Sequence, residues 1–185
     1  IRLYKDVGST VEAFEQAKQE GYTAAKSGFI TVDKNLVRPA YAVREAARKL
    51  EAVRKAVGDD FDIAIDAHGQ LTTVMAVDFC TRIEELRPLF VEEATQLEDL
   101  GELALLRSKT KVPLATGERS FTKYGFAEYC SRHLVDIIQP DATKCGGLTE
   151  ARRIGWMAQD HGILMVSHGW NTAVGVAADL ALSAA

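Results

Sequence analysis

The sequence predicts an α/β fold of the TIM type, a barrel of parallel strands that alternate with helices. Seven short apolar runs alternate with seven longer stretches of helical periodicity, and the runs lack polar alternation, as strands buried on both faces do. Polar residues also recur just after these runs, at intervals of 23 to 27 residues, about the length of one strand–helix unit. Successive units of this kind imply a parallel sheet with right-handed crossovers, and eight of them close a barrel.

The elements follow from the positions of the apolar runs and of the helix signals. The predicted strands are residues 1–7, 22–26, 61–66, 89–92, 112–116, 135–139 and 163–167. The predicted helices are residues 9–20, 40–57, 73–86, 100–108, 124–133, 150–161 and 173–183. A Ser9-x-x-Glu12 capping box opens the first helix and Gly21 ends it, Gly58 ends the second, and Thr149 is the predicted N-cap of the sixth.

An open, doubly wound sheet is the alternative fold. It is disfavoured because neither a GxGxxG nor a GxxxxGK[ST] motif follows the first strand. The chain opens on an extended segment without an initiator Met and stops inside a predicted helix. We therefore expect residues 1–185 to be one incomplete barrel domain of a longer protein, with the eighth strand absent from this chain.

Composition narrows the class of protein. The chain has 22 basic and 26 acidic side chains, a formal charge of −4, and 47% apolar residues. This mild, scattered charge indicates a solvated surface and no nucleic-acid partner. We find no apolar run long enough for a bilayer and no signal peptide, so we expect a cytoplasmic protein without a membrane partner. The three cysteines are widely spaced and form no CxxC pair, which favours reduced, packed thiols.

Charged residues at the strand ends are the candidate site. They are Lys26, Asp66, His68, Glu92, Glu93, Glu118, Asp141 and His168. In a closed barrel such positions converge on one mouth, where the active sites of this fold lie. Asp66, Glu92 and Glu118, on three adjacent strands, would repel one another unless a cation offset their charge. Hard oxygen ligands favour Mg²⁺, and three protein ligands leave positions open for water or substrate.

The histidines divide into two groups. Asp141 and His168 fit a general base whose tautomer is set by a carboxylate, and His68 is placed to donate a proton. The alternative for either His68 or His168 is a hydrogen-bonded packing residue. His133 and His161 fall in the last turns of predicted helices, where positive charge suits the helix dipole, and we interpret both as structural.

Five motifs together resemble the enolase superfamily, in its mandelate-racemase-like branch. They are Ile-Asp-Ala-His-Gly at 65–69, Phe-Val-Glu-Glu-Ala at 90–94, Ala-Thr-Gly-Glu-Arg at 115–119, Asp-Ile-Ile-Gln-Pro-Asp at 136–141 leading to Gly146 and Gly147, and Val-Ser-His at 166–168. The Asp-x-His-Gly and Gly-Glu-Arg patterns are most similar to galactonate-dehydratase-like sugar acid dehydratases. The resemblance covers essentially the whole chain.

The resemblance implies a role for each site residue. It makes Asp66, Glu92 and Glu118 the Mg²⁺ ligands, Asp141 and His168 a dyad with His168 as base, and His68 the general acid. Lys26 and Arg119 would contact the acid substrate, although an ion pair between Arg119 and Glu93 is an equal alternative. The implied reaction is Mg²⁺-dependent dehydration of an aldonate or aldarate to a 2-keto-3-deoxy acid. A homo-oligomer and an N-terminal capping domain, absent from this chain, are also implied.

Two departures from the family pattern bear on the reaction. Racemases of this branch carry Lys-x-Lys after the second strand, whereas this chain has Lys26-Ser27-Gly28, so a two-base racemisation is disfavoured. Ala94 stands where Pro usually follows the paired acids, which changes the turn but not the ligand. A racemase, epimerase or cycloisomerase remains the nearest alternative. A non-catalytic barrel is another, and a phosphate-binding barrel is disfavoured because Trp170 would fill the phosphate position.

Overall fold

The computed structural model describes residues 1–30, 38–96 and 99–184, and within these ranges seven β-strands alternate with seven α-helices. The strands are β1 Lys5–Asp6, β2 Ala24–Ser27, β3 Asp62–Asp66, β4 Phe90–Glu92, β5 Leu114–Thr116, β6 Ile137–Ile138 and β7 Leu164–Met165. The helices are α1 Val11–Gln19, α2 Pro39–Val57, α3 Thr73–Ile83, α4 Leu100–Arg107, α5 Thr122–Ser131, α6 Leu148–Asp160 and α7 Ala173–Ala184. A short 3₁₀ turn, Glu84–Leu86, follows α3.

The chain divides into two compact units, of which Arg2–Pro113 is the first. Its four strands, β1 to β4, pair in parallel in chain order, and β3 and β4 place Asp66 directly beside Glu92. Phe14 of α1 is fully buried and packs with its ring centroid 5.7 Å from that of Phe29 and 6.5 Å from that of Phe61. This apolar packing holds α1 against the sheet, whose strand ends carry the charged residues.

The second unit comprises the chain from Leu114 onward, with Ile1. Its strands β5, β6 and β7 also pair in parallel, with Ile137 of β6 opposite both Ala115 and Leu164. Phe126 of α5 is fully buried, and its ring meets that of Tyr129 edge-on at 6.1 Å. The strand ends of this unit carry Glu118, Asp141 and His168 on the loops that lead into the next helices.

The strand–helix alternation confirms the predicted fold class, that of a TIM-type barrel, with seven units in the described ranges. Every predicted strand and helix has a counterpart, but the strands begin later than predicted, as β1 does at Lys5. Two predicted caps are wrong by one or two residues. Thr10, not Ser9, is the N-cap of α1, because its backbone is extended and its side chain accepts from the N–H of Ala13. Gly147, at φ 89°, precedes α6, so Thr149 lies inside the first turn.

Two further sequence expectations concern membranes and thiols. Across the described ranges, no helix combines the length and apolarity that a bilayer span requires. Cys80, Cys130 and Cys145 are buried free thiols, as predicted. Burial raises the pKa of Cys80 to about 12, although a hydrogen bond with Thr110 acts in the opposite direction. The thiol therefore stays protonated and packs in the core.

Gly117, between β5 and Glu118, permits a close approach that a side chain would block. Its φ is 136°, and an added Cβ would lie 2.6 Å from Cε1 of Phe126 and 3.0 Å from the backbone N of Gln139. We expect Gly117→Ala to lower the free energy of unfolding by about 1–3 kcal/mol, because overpacking adds to backbone strain. Urea denaturation of the full-length protein measures this change.

Gly125→Ala is the matched control for this substitution. Its added Cβ would make only an ordinary 3.7 Å contact with Cβ of Ser120, inside α5. Alanine is the better helix former, so we expect no loss of stability there. Equal unfolding midpoints for the two variants would contradict the close packing described at Gly117.

Candidate active site

In the first unit, a buried lysine joins the two carboxylates at the ends of β3 and β4. Nζ of Lys26 donates to Oδ2 of Asp66 at 3.0 Å and to Oε2 of Glu92 at 2.7 Å. Lys26 is 7% exposed, Asp66 6% and Glu92 0%. The parallel register explains this cluster, because Asp66 pairs directly with Glu92 and Lys26 ends the neighbouring strand β2.

Electrostatics fix the charge state of this cluster. Burial opposes the positive charge of Lys26, but the carboxylates of Glu92 and Asp66 outweigh it and raise the pKa of Lys26. The lysine is therefore an ammonium ion, which offsets part of the repulsion between the two acids. The donor set near it, buried carboxylate oxygens, is the set that Mg²⁺ prefers.

His68 lies beside the same cluster. Its backbone N–H donates to Oδ1 of Asp66 at 3.0 Å, and its Nδ1 lies 3.1 Å from that oxygen. The side chain is 58% exposed. His68 and Glu93 both have positive φ, near 48°, and the N–H of Gly69 donates to the carbonyl of Glu93 at 2.7 Å. The loops after β3 and β4 are thus bonded to each other.

In the second unit, a histidine stands between two carboxylates. Nδ1 of His168 lies 3.0 Å from Oδ2 of Asp141, and Nε2 lies 3.1 Å from Oε2 of Glu118. The side chain of Asp141 is fully buried, whereas those of His168 and Glu118 are 13% and 15% exposed. The imidazole is therefore held at one nitrogen by a buried acid and presents the other toward a more accessible one.

The hydrogen bonds of Asp141 assign its charge and the histidine tautomer. Burial works against ionisation, but donors from Thr143 and His168 outweigh it and lower the pKa of Asp141. An ionised Asp141 only accepts, so Nδ1 of His168 carries a proton and donates it. In the neutral imidazole, Nε2 is then the basic nitrogen. The hydrogen bond to Glu118 raises the pKa of His168 against the effect of burial, and Asp141 adds to the rise.

This raised pKa predicts a pH-dependent stability in the metal-free protein. A group whose pKa is higher in the folded state contributes stability that is complete below its unfolded pKa, about 6.5 for histidine. That contribution is lost as pH rises through the folded pKa. We expect the free energy of unfolding, measured by urea denaturation in the presence of a chelator, to fall as pH rises from about 6.5 to about 8, below the range in which the buried thiols ionise. His168→Asn should abolish this fall, and an equal slope in that variant would refute the assignment.

The remaining residues named from the sequence are Arg119, His133 and His161. The side chain of Arg119 is exposed, and its proposed substrate contact stays a prediction. His161 makes a 2.8 Å hydrogen bond from Nδ1 to the carbonyl of Met157, and its ring packs 6.0 Å from that of His133. Those contacts agree with the structural interpretation of both histidines. Their predicted place in the last helical turns is wrong by one or two residues, because α5 ends at Ser131 and α6 at Asp160.

Two residues near the dyad were not predicted. Asn171, on the loop after β7, donates from Nδ2 to Asp141 and also to Asp179 of α7. One signal was available for Asp179, since it is the single charged residue in the sequence of α7 and is 7% exposed. No comparable pattern marks Asn171, whose contacts depend on the approach of α7.

Comparison with known proteins identifies the family. Residues 9–185 match the model of the family described as enolase C-terminal domain-like, and the chain belongs to that family. It is 32% identical over 179 residues to a D-galactarolactone cycloisomerase of Agrobacterium fabrum, covering 97% of this chain and 45% of the relative. It is 33% identical over 138 residues to a D-galactonate dehydratase of Xanthomonas euvesicatoria, covering 75% of this chain and 36% of the relative.

Solved structures agree with this membership. The crystal structure of the 3,6-anhydro-D-galactonate cycloisomerase of Zobellia galactanivorans superposes with a TM-score of 0.89 and 28% identity, over 100% of this chain and 51% of that one. The resemblance to the enolase superfamily and to galactonate-dehydratase-like members is therefore confirmed. The chain spans less than half the length of the two curated relatives.

Proposed function

We propose that the protein dehydrates a sugar acid, an aldonate or aldarate, to a 2-keto-3-deoxy acid. The observation that carries the proposal is the hydrogen bond between Nδ1 of His168 and buried Asp141, which leaves Nε2 as the basic nitrogen of the neutral ring. Family membership and relatives named as sugar acid dehydratases support it. A base held in this way suits abstraction of a weakly acidic proton next to a carboxylate.

We propose Mg²⁺ as the cofactor, with Asp66, Glu92 and Glu118 as its ligands. The residue types fit, because all three offer hard carboxylate oxygens and Asp66 and Glu92 are buried around a cation. Their positions at strand ends also suit the fold, whose active sites lie there. When bound, Mg²⁺ would offset the negative charge that develops on the substrate carboxylate as its α-proton leaves.

The side chains of this chain account for the proton movements. Nε2 of His168 takes the C2 proton while Asp141 holds Nδ1–H. The C2–H electron pair forms the C2–C3 double bond, the C3–O bond breaks, and His68 protonates the departing hydroxyl as water. The enol then tautomerises to the 2-keto acid. Lys26 supplies a buried positive charge for the substrate carboxylate, and Arg119 a second cation.

The proposal also covers the extent of the domain, the location of the protein in the cell and its oligomeric state. We propose that residues 1–185 are one incomplete barrel domain, that the protein is cytoplasmic, and that it works as a homo-oligomer. The family resemblance supports the oligomer. Measurement of mass in solution by light scattering tests that part independently of activity.

A cycloisomerase is the second candidate, because two of the named relatives are cycloisomerases. It would share the base but lose no water from the substrate. Racemisation is less favoured, since the sequence Lys26-Ser27-Gly28 lacks a second lysine base after β2. The two candidates differ in product, so one assay separates them.

The test is incubation of the full-length protein with Mg²⁺ and a panel of aldonates, aldarates and their lactones. A 2-keto product, detected with semicarbazide, is expected from at least one acid. Proton NMR in D₂O follows exchange at C2 in the same samples. Conversion of a lactone without a 2-keto product would favour the cycloisomerase. A folded, Mg²⁺-loaded protein that acts on no member of the panel would refute both candidates.

A further inference from the structure

A second buried carboxylate lies behind the Asp141–His168 pair. Asp179 of α7 is 7% exposed, and its Oδ2 accepts from Nδ2 of Asn171 at 3.2 Å. The same Nδ2 lies 3.4 Å from Oδ1 of Asp141. An amide nitrogen carries two hydrogens, so Asn171 donates one to each carboxylate and bridges them.

The bridge fixes which oxygen of Asp141 faces the histidine. Oδ1 accepts from the backbone N–H of Thr143 at 2.8 Å, from Oγ1 of Thr143 at 2.6 Å and from Asn171. Oδ2 is left for Nδ1 of His168 at 3.0 Å, with Nζ of Lys144 farther away at 3.7 Å. These three donors to Oδ1 fix the orientation of the Asp141 carboxylate. Two of them belong to Thr143, and the third is Asn171, which precedes α7.

Two glycines leave room for this bridge. A Cβ at Gly175, in the first turn of α7, would lie 2.4 Å from Cβ of Asn171 and 3.1 Å from Cγ2 of Thr143. A Cβ at Gly169 would lie 3.3 Å from Oδ2 of Asp179. The helix can therefore pack directly onto the Asn171 side chain only because residue 175 is glycine.

The burial of Asp179 is costly and calls for a reason. Its Oδ1 has no hydrogen bond of ordinary geometry among the described residues, and groups of this kind are few in native proteins. Burial raises the pKa of Asp179, and the nearby charge of Asp141 adds to the rise. The backbone N–H of Ala142 approaches the carboxylate and lowers its pKa, but less than burial raises it. A leucine or alanine at this helix position would avoid that cost, so the carboxylate has a use that packing does not supply.

We propose that Asn171 and Asp179 are positioning residues for the dyad. Asp179 orients the amide of Asn171, and Asn171 holds Asp141 so that one oxygen faces Nδ1 of His168. The catalytic consequence rests on the proposed function, since it assumes that His168 is the base. The positional consequence does not, because the hydrogen bond between Asp141 and His168 exists without substrate.

The experiment compares Asn171→Ala, Asp179→Ala and Asp179→Asn in the full-length Mg²⁺-loaded protein. The first readout is steady-state kinetics on the acid that the wild type dehydrates. The second is the downfield proton resonance of His168 Nδ1–H, recorded at fixed pH in protein labelled with ¹⁵N-histidine and assigned with His168→Asn. Thermal unfolding of each variant reports the fold.

We expect both alanine variants to lower kcat by about 10- to 100-fold, the usual effect of removing a partner behind a functional ligand. KM should stay within about twofold, and the Nδ1–H resonance should shift or broaden. Asp179→Asn keeps a carbonyl that can accept from Asn171, so it should recover the wild-type resonance and kcat within about threefold. A purely structural role would change the unfolding temperature and leave kcat and the resonance unaltered.

Gly175→Ala covers the case in which the alanine variants do not fold. It displaces Asn171 without removing a polar group, and we expect the same shift or broadening of the resonance. Gly125→Ala, whose Cβ makes an ordinary contact, is its control. Wild-type resonance and kcat in the Asn171 and Gly175 variants would overturn the proposal, and so would an Asp179→Asn variant as impaired as Asp179→Ala. If the wild type dehydrates no acid, the proposed function fails, and the resonance alone decides the positional claim.

Discussion

Replacing His168 with asparagine will remove the proposed base of the proposed dehydration. We expect both deuterium exchange at C2 and formation of the 2-keto acid to fall by about 10²- to 10⁴-fold, the range that a positioned general base contributes. The amide of asparagine can still donate to Asp141, so the local hydrogen bonding and the fold should persist. Proton NMR in D₂O measures the exchange, and semicarbazide measures the product.

His133→Asn is the matched control for this substitution. His133 is exposed and has φ 49°, a left-handed conformation that asparagine adopts readily. We expect wild-type exchange and product formation from that variant. If His168→Asn kept its exchange rate, another residue would be the base, and the assignment based on Asp141 would be wrong.

Replacing Lys26 with methionine will destabilise the metal-free protein. The ammonium lies between Asp66 and Glu92, and its removal leaves two buried acids side by side. Breaking a buried ion pair from one side costs about 3–5 kcal/mol. We expect a loss of that order in the free energy of unfolding, measured by urea denaturation with a chelator present.

Mg²⁺ should restore part of this loss if the carboxylates bind the ion, because a bound cation stabilises the folded state. Lys111→Met is the control, since Lys111 is 87% exposed and its 3.3 Å ion pair with Glu84 lies at the surface. Surface pairs contribute about 0–1 kcal/mol. A Lys26 variant no less stable than the Lys111 variant would contradict the buried cluster.

The sequence allowed prediction of the fold class and of two of the pairs that meet within the units, Asp66 with Glu92 and Asp141 with His168. Apolar runs and their spacing are local properties, and parallel strands align their ends, so Asp66 and Glu92 could be expected to be neighbours. The ion pairs of Lys26 could not be predicted, because they depend on register between β2, β3 and β4. The family resemblance implied a substrate contact for this lysine, which stays a prediction.

The hydrogen bonds by which Asn171 joins Asp141 to Asp179 could not be predicted from the sequence for a similar reason. Asn171 and Asp179 lie eight residues apart, and their contact depends on α7 approaching the loop at Gly175. The helix caps show the same limit on a smaller scale. Ser9 and Thr10 are both capping residue types, and the backbone conformation of Thr10 decides between them.

The backbone hydrogen bond between the loops after β3 and β4 limits which residues can replace His68 when the site is redesigned. His68 and Glu93 both adopt left-handed backbone conformations, and the amide of Gly69 donates to the carbonyl of Glu93. A mutant library at position 68 is thus limited by shape as well as by chemistry, since β-branched residues disfavour that conformation. Asparagine and aspartate fit it best. A poorly fitting residue at position 68 would also move the neighbouring loop, so libraries that vary positions 68 and 93 together should yield more folded variants.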